Sequence, residues 1–81
     1  MEPTIEDRTL GVLLREFDCD PIMTHANSHI RHELGLDDTD LLEFVRALEM
    51  EFGVAIEMMA ARQFNTVGDF VAYIESQGES R

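Results

Sequence analysis

The stretch that decides the fold is LGLDDTDLLEFVRALEMEFG, residues 34–53. A glycine turn precedes three aspartates within four positions, and apolar residues then recur with the spacing of an α-helix. These apolar residues are Leu41, Phe44, Val45, Leu48 and Phe52. They form one stripe on a helix that starts in the aspartate cluster and ends at Gly53, which suits the left-handed residue after a helix. The spacing predicts an amphipathic helix here.

A similar pattern predicts a helix on each side of this segment. Thr4 and Asp7 have the spacing of a capping box, and Thr66 and Asp69 repeat it. The apolar stripe after the first box is Leu10, Leu13, Leu14 and Phe17, and the stripe after the second is Val67, Phe70, Val71 and Ile74. A short additional helix is predicted over residues 58–62. Before it, Val54 and Ile56 alternate as in a strand.

The segment from Asp18 to Asp37 contains Pro21 and no long periodicity, which predicts a long loop. Its apolar residues Ile22, Ile30, Leu34 and Leu36 are expected in the core. The fold class is therefore all-α: a small antiparallel four-helix bundle with three main helices, one short helix and a long loop after the first. We expect a single domain over residues 1–81, with a frayed tail from about residue 77.

The charge balance restricts the classes of partner. The chain has 81 residues, 17 acids and 6 basic residues, all of them arginine, and a net charge of −11. This charge disfavours nucleic acid and anionic membranes, and it favours basic protein surfaces. Cys19 is the only cysteine, which excludes an internal disulfide and fits a reducing compartment. The first residues lack the apolar core of a signal peptide, and no apolar run has membrane-spanning length. We expect a cytoplasmic monomer.

Four blocks of the sequence resemble the acyl carrier protein family over nearly the whole chain. They are IEDR at 5–8, ELGLD at 33–37, ALEMEFGVAI at 47–56 and TVGDFVAYI at 66–74. The resemblance implies a four-helix carrier fold. It also implies a role in fatty-acid, polyketide or related acyl metabolism, in which the protein carries acyl groups as thioesters on 4′-phosphopantetheine.

Position 38 departs from the family pattern. The family has Asp-Ser-Leu after the glycine turn, and its serine carries the phosphopantetheine; here Asp37 matches the aspartate, Asp38 stands at the serine and Thr39 at the leucine. A phosphopantetheinyl transferase needs a hydroxyl nucleophile, and a carboxylate would give a labile acyl phosphate. We therefore expect no cofactor in this form, whereas a serine at position 38 would imply 4′-phosphopantetheine. The hydroxyl of Thr39 is a poorer nucleophile, one residue out of register.

Asp38 has two further interpretations. It can cap the second long helix and oppose the positive end of its dipole. It can also mimic the negative charge that a phosphodiester would place at this helix start. The missing serine is explained equally by natural divergence and by a deliberate Ser→Asp replacement.

The second long helix carries the candidate docking surface. Asp40, Glu43, Ala47, Met50 and Glu51 share one helical face, and Arg46 and Glu49 lie on an adjoining face. From Asp38 to Glu57 there are six acids and one arginine, a net charge of −5. The resemblance implies docking on basic surfaces of biosynthetic enzymes and of the phosphopantetheinyl transferase, whereas the alternative is an acidic face that only solvates the helix. Arg46 stands where many members have an apolar residue, often methionine, which suggests a specialised set of partners.

The resemblance also implies an acyl pocket between the helices. Candidate lining residues are Ile30, Leu48, Ile56, Phe64 and Ile74, and ordinary core packing is the alternative for all of them. His25, His29 and His32 lie in the loop after Cys19, with spacings of four and three. The nearby acids complete no recognised ligand pattern, so we expect surface histidines that make docking weakly pH-sensitive, and no metal site.

No Ser-His-Asp or Cys-His arrangement is present, so the sequence does not predict an enzyme. It predicts a carrier-type domain without its arm. The competing class is a non-carrier interaction or regulatory module that retains the carrier fold, and an unrelated helical adaptor is a more distant third.

Overall fold

The computed structural model describes residues 4–78, and these residues form the predicted helical bundle. The helices are α1 (Ile5–Glu16), α2 (Asp38–Phe52), α3 (Met58–Ala61) and α4 (Val67–Gly78). Helix α1 packs against both α2 and α4, and α2 also packs against α3. Over the described residues the only strand-like pairing is an isolated bridge between His29 and Thr66, so the alternation at Val54 and Ile56 is not a strand.

Phe44 of α2 lies at the centre of the core and is fully buried. Its ring meets Phe17, just after α1, edge-on at 5.9 Å between centroids, and lies 4.9 Å from the ring of Phe70 in α4. Such aromatic pairs stabilise a core by about 0.5–1.5 kcal/mol beyond their buried area. The predicted α2 stripe of Leu41, Phe44, Val45 and Leu48 is buried as expected. Phe52, its last member, is only half-buried.

Two apolar residues expected in the core lie outside it. Leu14 is 37% exposed, while Val12, which lies outside the predicted stripe, is fully buried with Leu13. The buried side of α1 therefore differs from the predicted apolar stripe. It is set by the positions of the two helices that pack on α1, which are α2 and α4. Ile22 is 84% exposed because it lies in the turn after Pro21. Ile30 and Leu36 from the same loop are buried, as predicted.

Both predicted capping boxes are formed. Thr4 Oγ1 accepts the Asp7 N–H at 3.0 Å, and Asp7 Oδ2 accepts the Thr4 N–H at 3.3 Å. At α4, Thr66 Oγ1 accepts the Asp69 N–H at 3.3 Å, and Asp69 Oδ2 accepts the N–H groups of Asn65 and Thr66 at 2.8 and 3.1 Å. The backbone donor of Asn65 and then that of Thr66 lower the pKa of Asp69.

The long loop between α1 and α2 is tied to the start of α4 by main-chain hydrogen bonds. Ile30 N–H donates to the Asn65 carbonyl at 2.8 Å, and Gly68 N–H donates to the Ala26 carbonyl at 2.8 Å. Ser28, fully buried, donates its hydroxyl to the Met23 carbonyl at 2.6 Å. These bonds hold the loop against the bundle and thereby position the chain that enters α2.

Helix α4 continues through Gln77 and Gly78, where the sequence predicts the start of a frayed tail; the rest of that tail, residues 79–81, lies outside the described residues. The longest described helix has 15 residues. None of the helices within residues 4–78 combines the length and the apolarity needed to cross a bilayer.

Two glycine substitutions are expected to change stability in opposite directions. Gly53 ends α2 with φ 67° and ψ 33°, a left-handed conformation, so Gly53→Ala should lower the free energy of unfolding by about 1 kcal/mol. Gly11 lies inside α1, and the position that a Cβ would occupy is open space. Gly11→Ala should therefore raise the free energy of unfolding by about 0.5–1 kcal/mol. Urea unfolding followed by circular dichroism measures both. A Gly53→Ala variant as stable as the parent would contradict the assigned helix end.

The charged cap of α4 predicts a loss of stability in acid. The folded-state pKa of Asp69 lies below its unfolded value, so its contribution is present above about pH 4 and is lost as the pH falls through the folded-state pKa. The urea midpoint of the parent should therefore fall more steeply below pH 4 than that of Asp69→Asn. Glu75→Gln, at an exposed acid of the same helix, is the matched control and should follow the parent.

Candidate functional site

The first turn of α2 is held by Asp37 and Asp40. Asp37 is the N-cap: its Oδ1 accepts the Asp40 N–H at 2.9 Å, while Asp40 Oδ2 accepts the Asp37 N–H at 3.3 Å. This reciprocal pair is a capping box made from two aspartates. The interpretation of Asp38 as the capping residue is therefore wrong, because its neighbour already occupies that position.

Asp38 is the first residue of α2, and its side chain is 84% exposed. Its Oδ1 accepts a hydrogen bond from Nη2 of Arg31 at 2.8 Å, which links the long loop to the start of α2. The positive end of the α2 dipole also stabilises a carboxylate at this position. Because both partners are largely exposed, the ion pair itself contributes at most about 1 kcal/mol. Thr39, also exposed, carries the only hydroxyl among residues 37–40.

The turn that carries Arg31 is organised by His29. The His29 Nδ1 accepts the backbone N–H groups of Arg31 and His32 at 3.3 and 3.2 Å, and the His29 N–H donates to Glu33 Oε1 at 2.6 Å. The imidazole rings of His29 and His32 lie 4.3 Å apart. His29 is half-buried, whereas His25 and His32 are exposed. Among the described residues no group of three or more His, Cys, Asp and Glu side chains is arranged to hold a metal ion.

A groove of about 580 Å³ runs between the end of α1 and the outer face of α2. Its lining residues are Arg15, Glu16, Glu43, Arg46, Ala47, Met50 and Glu51. Five of the seven predicted docking residues therefore meet here. Arg46 lies with them rather than on an adjoining face, while Asp40 and Glu49 are not part of the lining. Sequence reasoning missed Arg15 and Glu16, because nothing in the periodicity of α2 indicates which residues of α1 border it.

Glu51 is engaged by two arginines of α1. Its Oε2 accepts from Arg8 Nε at 3.0 Å, and its Oε1 lies 3.7 Å from Arg15 Nη2. Arg8 Nη2 also donates to the Glu51 backbone carbonyl at 2.8 Å, and its guanidinium lies 4.4 Å from the centre of the Phe52 ring. Arg8 thus fastens the C-terminal turn of α2 to α1, a contact that the sequence did not indicate.

Glu49 is engaged at the other side of α2. Its Oε2 accepts the backbone N–H of Ile56 at 2.8 Å, which ties α2 to the segment that leads into α3. Within residues 4–78, the side chains of Glu43 and Arg46 make no hydrogen bond or ion pair, and both are exposed. These two residues are the charged groups of the groove that remain available to another molecule.

The residues predicted to line an acyl pocket belong to the closed core. Ile30, Leu48, Ile56 and Ile74 are buried in one hydrophobic cluster. Phe64 packs at its edge, half-buried, with its ring 4.8 Å from that of Phe70 in an edge-on arrangement. The five residues therefore lie close together, and in this structure they perform the packing role that was the alternative to a pocket.

Cys19 is a half-buried free thiol in the long loop. Burial, and then the charge of Asp18, raise the pKa of this thiol, against a hydrogen bond with Thr24. The thiol form therefore predominates at neutral pH, which disfavours nucleophilic chemistry.

Comparison with known proteins defines the family. Residues 7–74 match the family described as phosphopantetheine attachment site. An acyl carrier protein 3 of Ralstonia nicotianae is 33% identical over 79 residues, which cover 98% of this chain and 91% of the relative. The chain belongs to the acyl carrier protein family. Similar relatives are acyl carrier proteins of Lactobacillus acidophilus, 35% identical over 93% of this chain and 94% of the relative, and of Phaeodactylum tricornutum, 37% identical over 84% and 90%. The resemblance inferred from the four sequence blocks is confirmed.

The contact between Arg8 and Glu51 gives a stability prediction for this carrier fold. Arg8→Gln removes a charged hydrogen bond to a carboxylate, a hydrogen bond to a helix-end carbonyl and the contact with Phe52. We expect the free energy of unfolding to fall by about 1–2 kcal/mol, since the site is partly buried. Arg62→Gln, at an exposed arginine after α3, is the matched control in the same urea titration. Equal losses in the two variants would mean that only net charge had been changed.

Proposed function

We propose that this chain is a carrier-type domain of fatty-acid, polyketide or related acyl metabolism that is not loaded with 4′-phosphopantetheine in its present form. The observation that carries the proposal is the carboxylate at position 38. It stands at the exposed first residue of α2, where the resemblance to the family expects the attachment serine.

The side chains around position 38 do not fit the family's prosthetic group. Attachment as a phosphodiester needs a hydroxyl oxygen, and residues 37, 38 and 40 offer carboxylates. Asp38 is paired with Arg31, and the carboxylates of Asp37 and Asp40 accept backbone N–H groups. The hydroxyl of Thr39 lies one position further along the helix, which turns it by about 100° from position 38.

The proposed action is recognition rather than catalysis. The outer face of α2 docks onto biosynthetic enzymes and onto the phosphopantetheinyl transferase, and the chain itself is not an enzyme. We further propose that the chain is a single domain and a cytoplasmic monomer. Its net charge of −11 supports protein partners over nucleic acid or anionic membranes. Such charges chiefly raise the association rate and set specificity.

A second candidate is a non-carrier interaction or regulatory module with the carrier fold. The ion pair between Asp38 and Arg31 favours it, because a partly compensated anion takes the place of a reactive group at the start of α2. In this candidate the carboxylate imitates the charge of a loaded carrier without its arm. The two candidates share the docking helix and differ in whether position 38 can be restored to a working site.

The test is the intact mass of the protein after incubation with coenzyme A and a broad-specificity phosphopantetheinyl transferase. The parent chain is compared with Asp38→Ser and with Asp38→Ser/Thr39→Ala. We expect no mass gain for the parent and one phosphopantetheine on each variant, because position 38 is exposed and the helix start around it is held by other residues.

The outcomes separate the candidates. Loading of both variants supports the carrier proposal. Loading of neither variant favours the interaction module. A mass gain on the parent would overturn the account of position 38, and Thr39→Ala in the parent background would then show whether the threonine accepts the group.

A further inference from the structure

Most carboxylates of α2 make contacts within the chain. The proposed docking face therefore offers a partner less negative charge than the sequence of α2 suggests. Arg31 forms an ion pair with Asp38, and Arg8 and Arg15 both form ion pairs with Glu51. The side-chain oxygens of Asp40 and Glu49 accept backbone N–H groups of their own chain. The net charge of −5 counted along this segment is therefore not the charge that a partner meets.

Four residues of α2 remain along the groove for a partner to contact. Glu43 and Arg46 are exposed and unpaired, Ala47 lies between them in the lining, and Met50 is 87% exposed. Arg46 is three residues from both Glu43 and Glu49, a spacing at which helical ion pairs form, yet it pairs with neither of them. This part of the face presents one negative charge, one positive charge and an apolar side chain.

We propose that Arg46 is the residue that determines which partners this face accepts. The occupant that fits is a protein surface with an acidic side chain opposite Arg46, a basic side chain opposite Glu43 and an apolar contact over Met50. This inference rests on the proposed function, because it specifies the partner of the same α2 face. A uniformly basic surface of the kind that the family resemblance implies meets a like charge at Arg46 and is disfavoured.

Direct binding of the unmodified chain to a broad-specificity phosphopantetheinyl transferase tests the inference without any loading reaction. The chains compared are the parent, Arg46→Met, Arg46→Glu and Arg46→Lys. Arg62→Met is the control for the same loss of charge at an exposed arginine outside the groove. Dissociation constants are measured at low and high salt, and circular dichroism verifies that each variant is folded.

We expect Arg46→Met to bind the transferase about two- to five-fold more tightly than the parent, as for the removal of one exposed like-charge contact. Arg46→Glu should bind more tightly still, and Arg46→Lys should match the parent. These differences should shrink at high salt, because screening weakens interactions between exposed charges. In a second arm, each basic residue of the transferase docking surface is changed to Glu. At least one such variant should gain affinity for the parent and lose it for Arg46→Met.

Three results would overturn the inference: equal affinities for all Arg46 variants, the same gain for Arg62→Met, or no binding by any of the chains. Loading of Asp38→Ser is measured separately. If that variant is loaded while the Arg46 variants bind alike, the carrier proposal stands and the role of Arg46 fails. If Asp38→Ser is not loaded but the Arg46 series behaves as expected, the carrier proposal fails and the mixed-charge docking face stands.

Discussion

The structure depends on the burial of one side chain, Phe44, among the other helices. Its ring meets Phe17 after α1 and Phe70 in α4, so a single residue of α2 joins the three long helical elements. A chain of 81 residues has little apolar surface to bury, and its helices are too short to be stable alone. Each of them persists because the same core covers its apolar side. The outer face of α2, which we propose as the docking surface, is what this burial leaves exposed.

The acidic character of the chain has a structural use as well as an electrostatic one. Carboxylates of Asp7, Asp40 and Asp69 accept the free N–H groups at helix starts, and Glu49 accepts one before α3. Each such bond satisfies a donor that a helix start would otherwise leave to water. The net charge of −11 therefore describes the electric field at a distance from the chain. The charge at close range depends on which carboxylates make no contact within the chain.

The comparison of sequence and structure is instructive at particular residues. The stripe of α2 and both Thr/Asp capping boxes were predicted correctly, because periodicity and capping are local properties of the chain. Leu14 and Ile22 were assigned to the core and lie outside it, while Val12 took a buried place. Burial depends on which neighbours cover a helix, and that information is not local. The N-cap of α2 is Asp37, one residue before the predicted Asp38. The two residues have the same side chain, and only the backbone conformation distinguishes their positions.

The sequence by itself determined the all-α class, the helices and the family, since these follow from spacing and from motifs that tolerate many substitutions. It also determined that position 38 carries a carboxylate. Only the tertiary structure decided which acids remain available. The contacts of Glu51 with Arg8 and of Asp38 with Arg31 join residues 43 and 7 positions apart, and they form only when the bundle closes and the loop docks. The charge offered to a partner is thus a property of the fold, because each ion pair within the chain places a positive charge beside a carboxylate of α2.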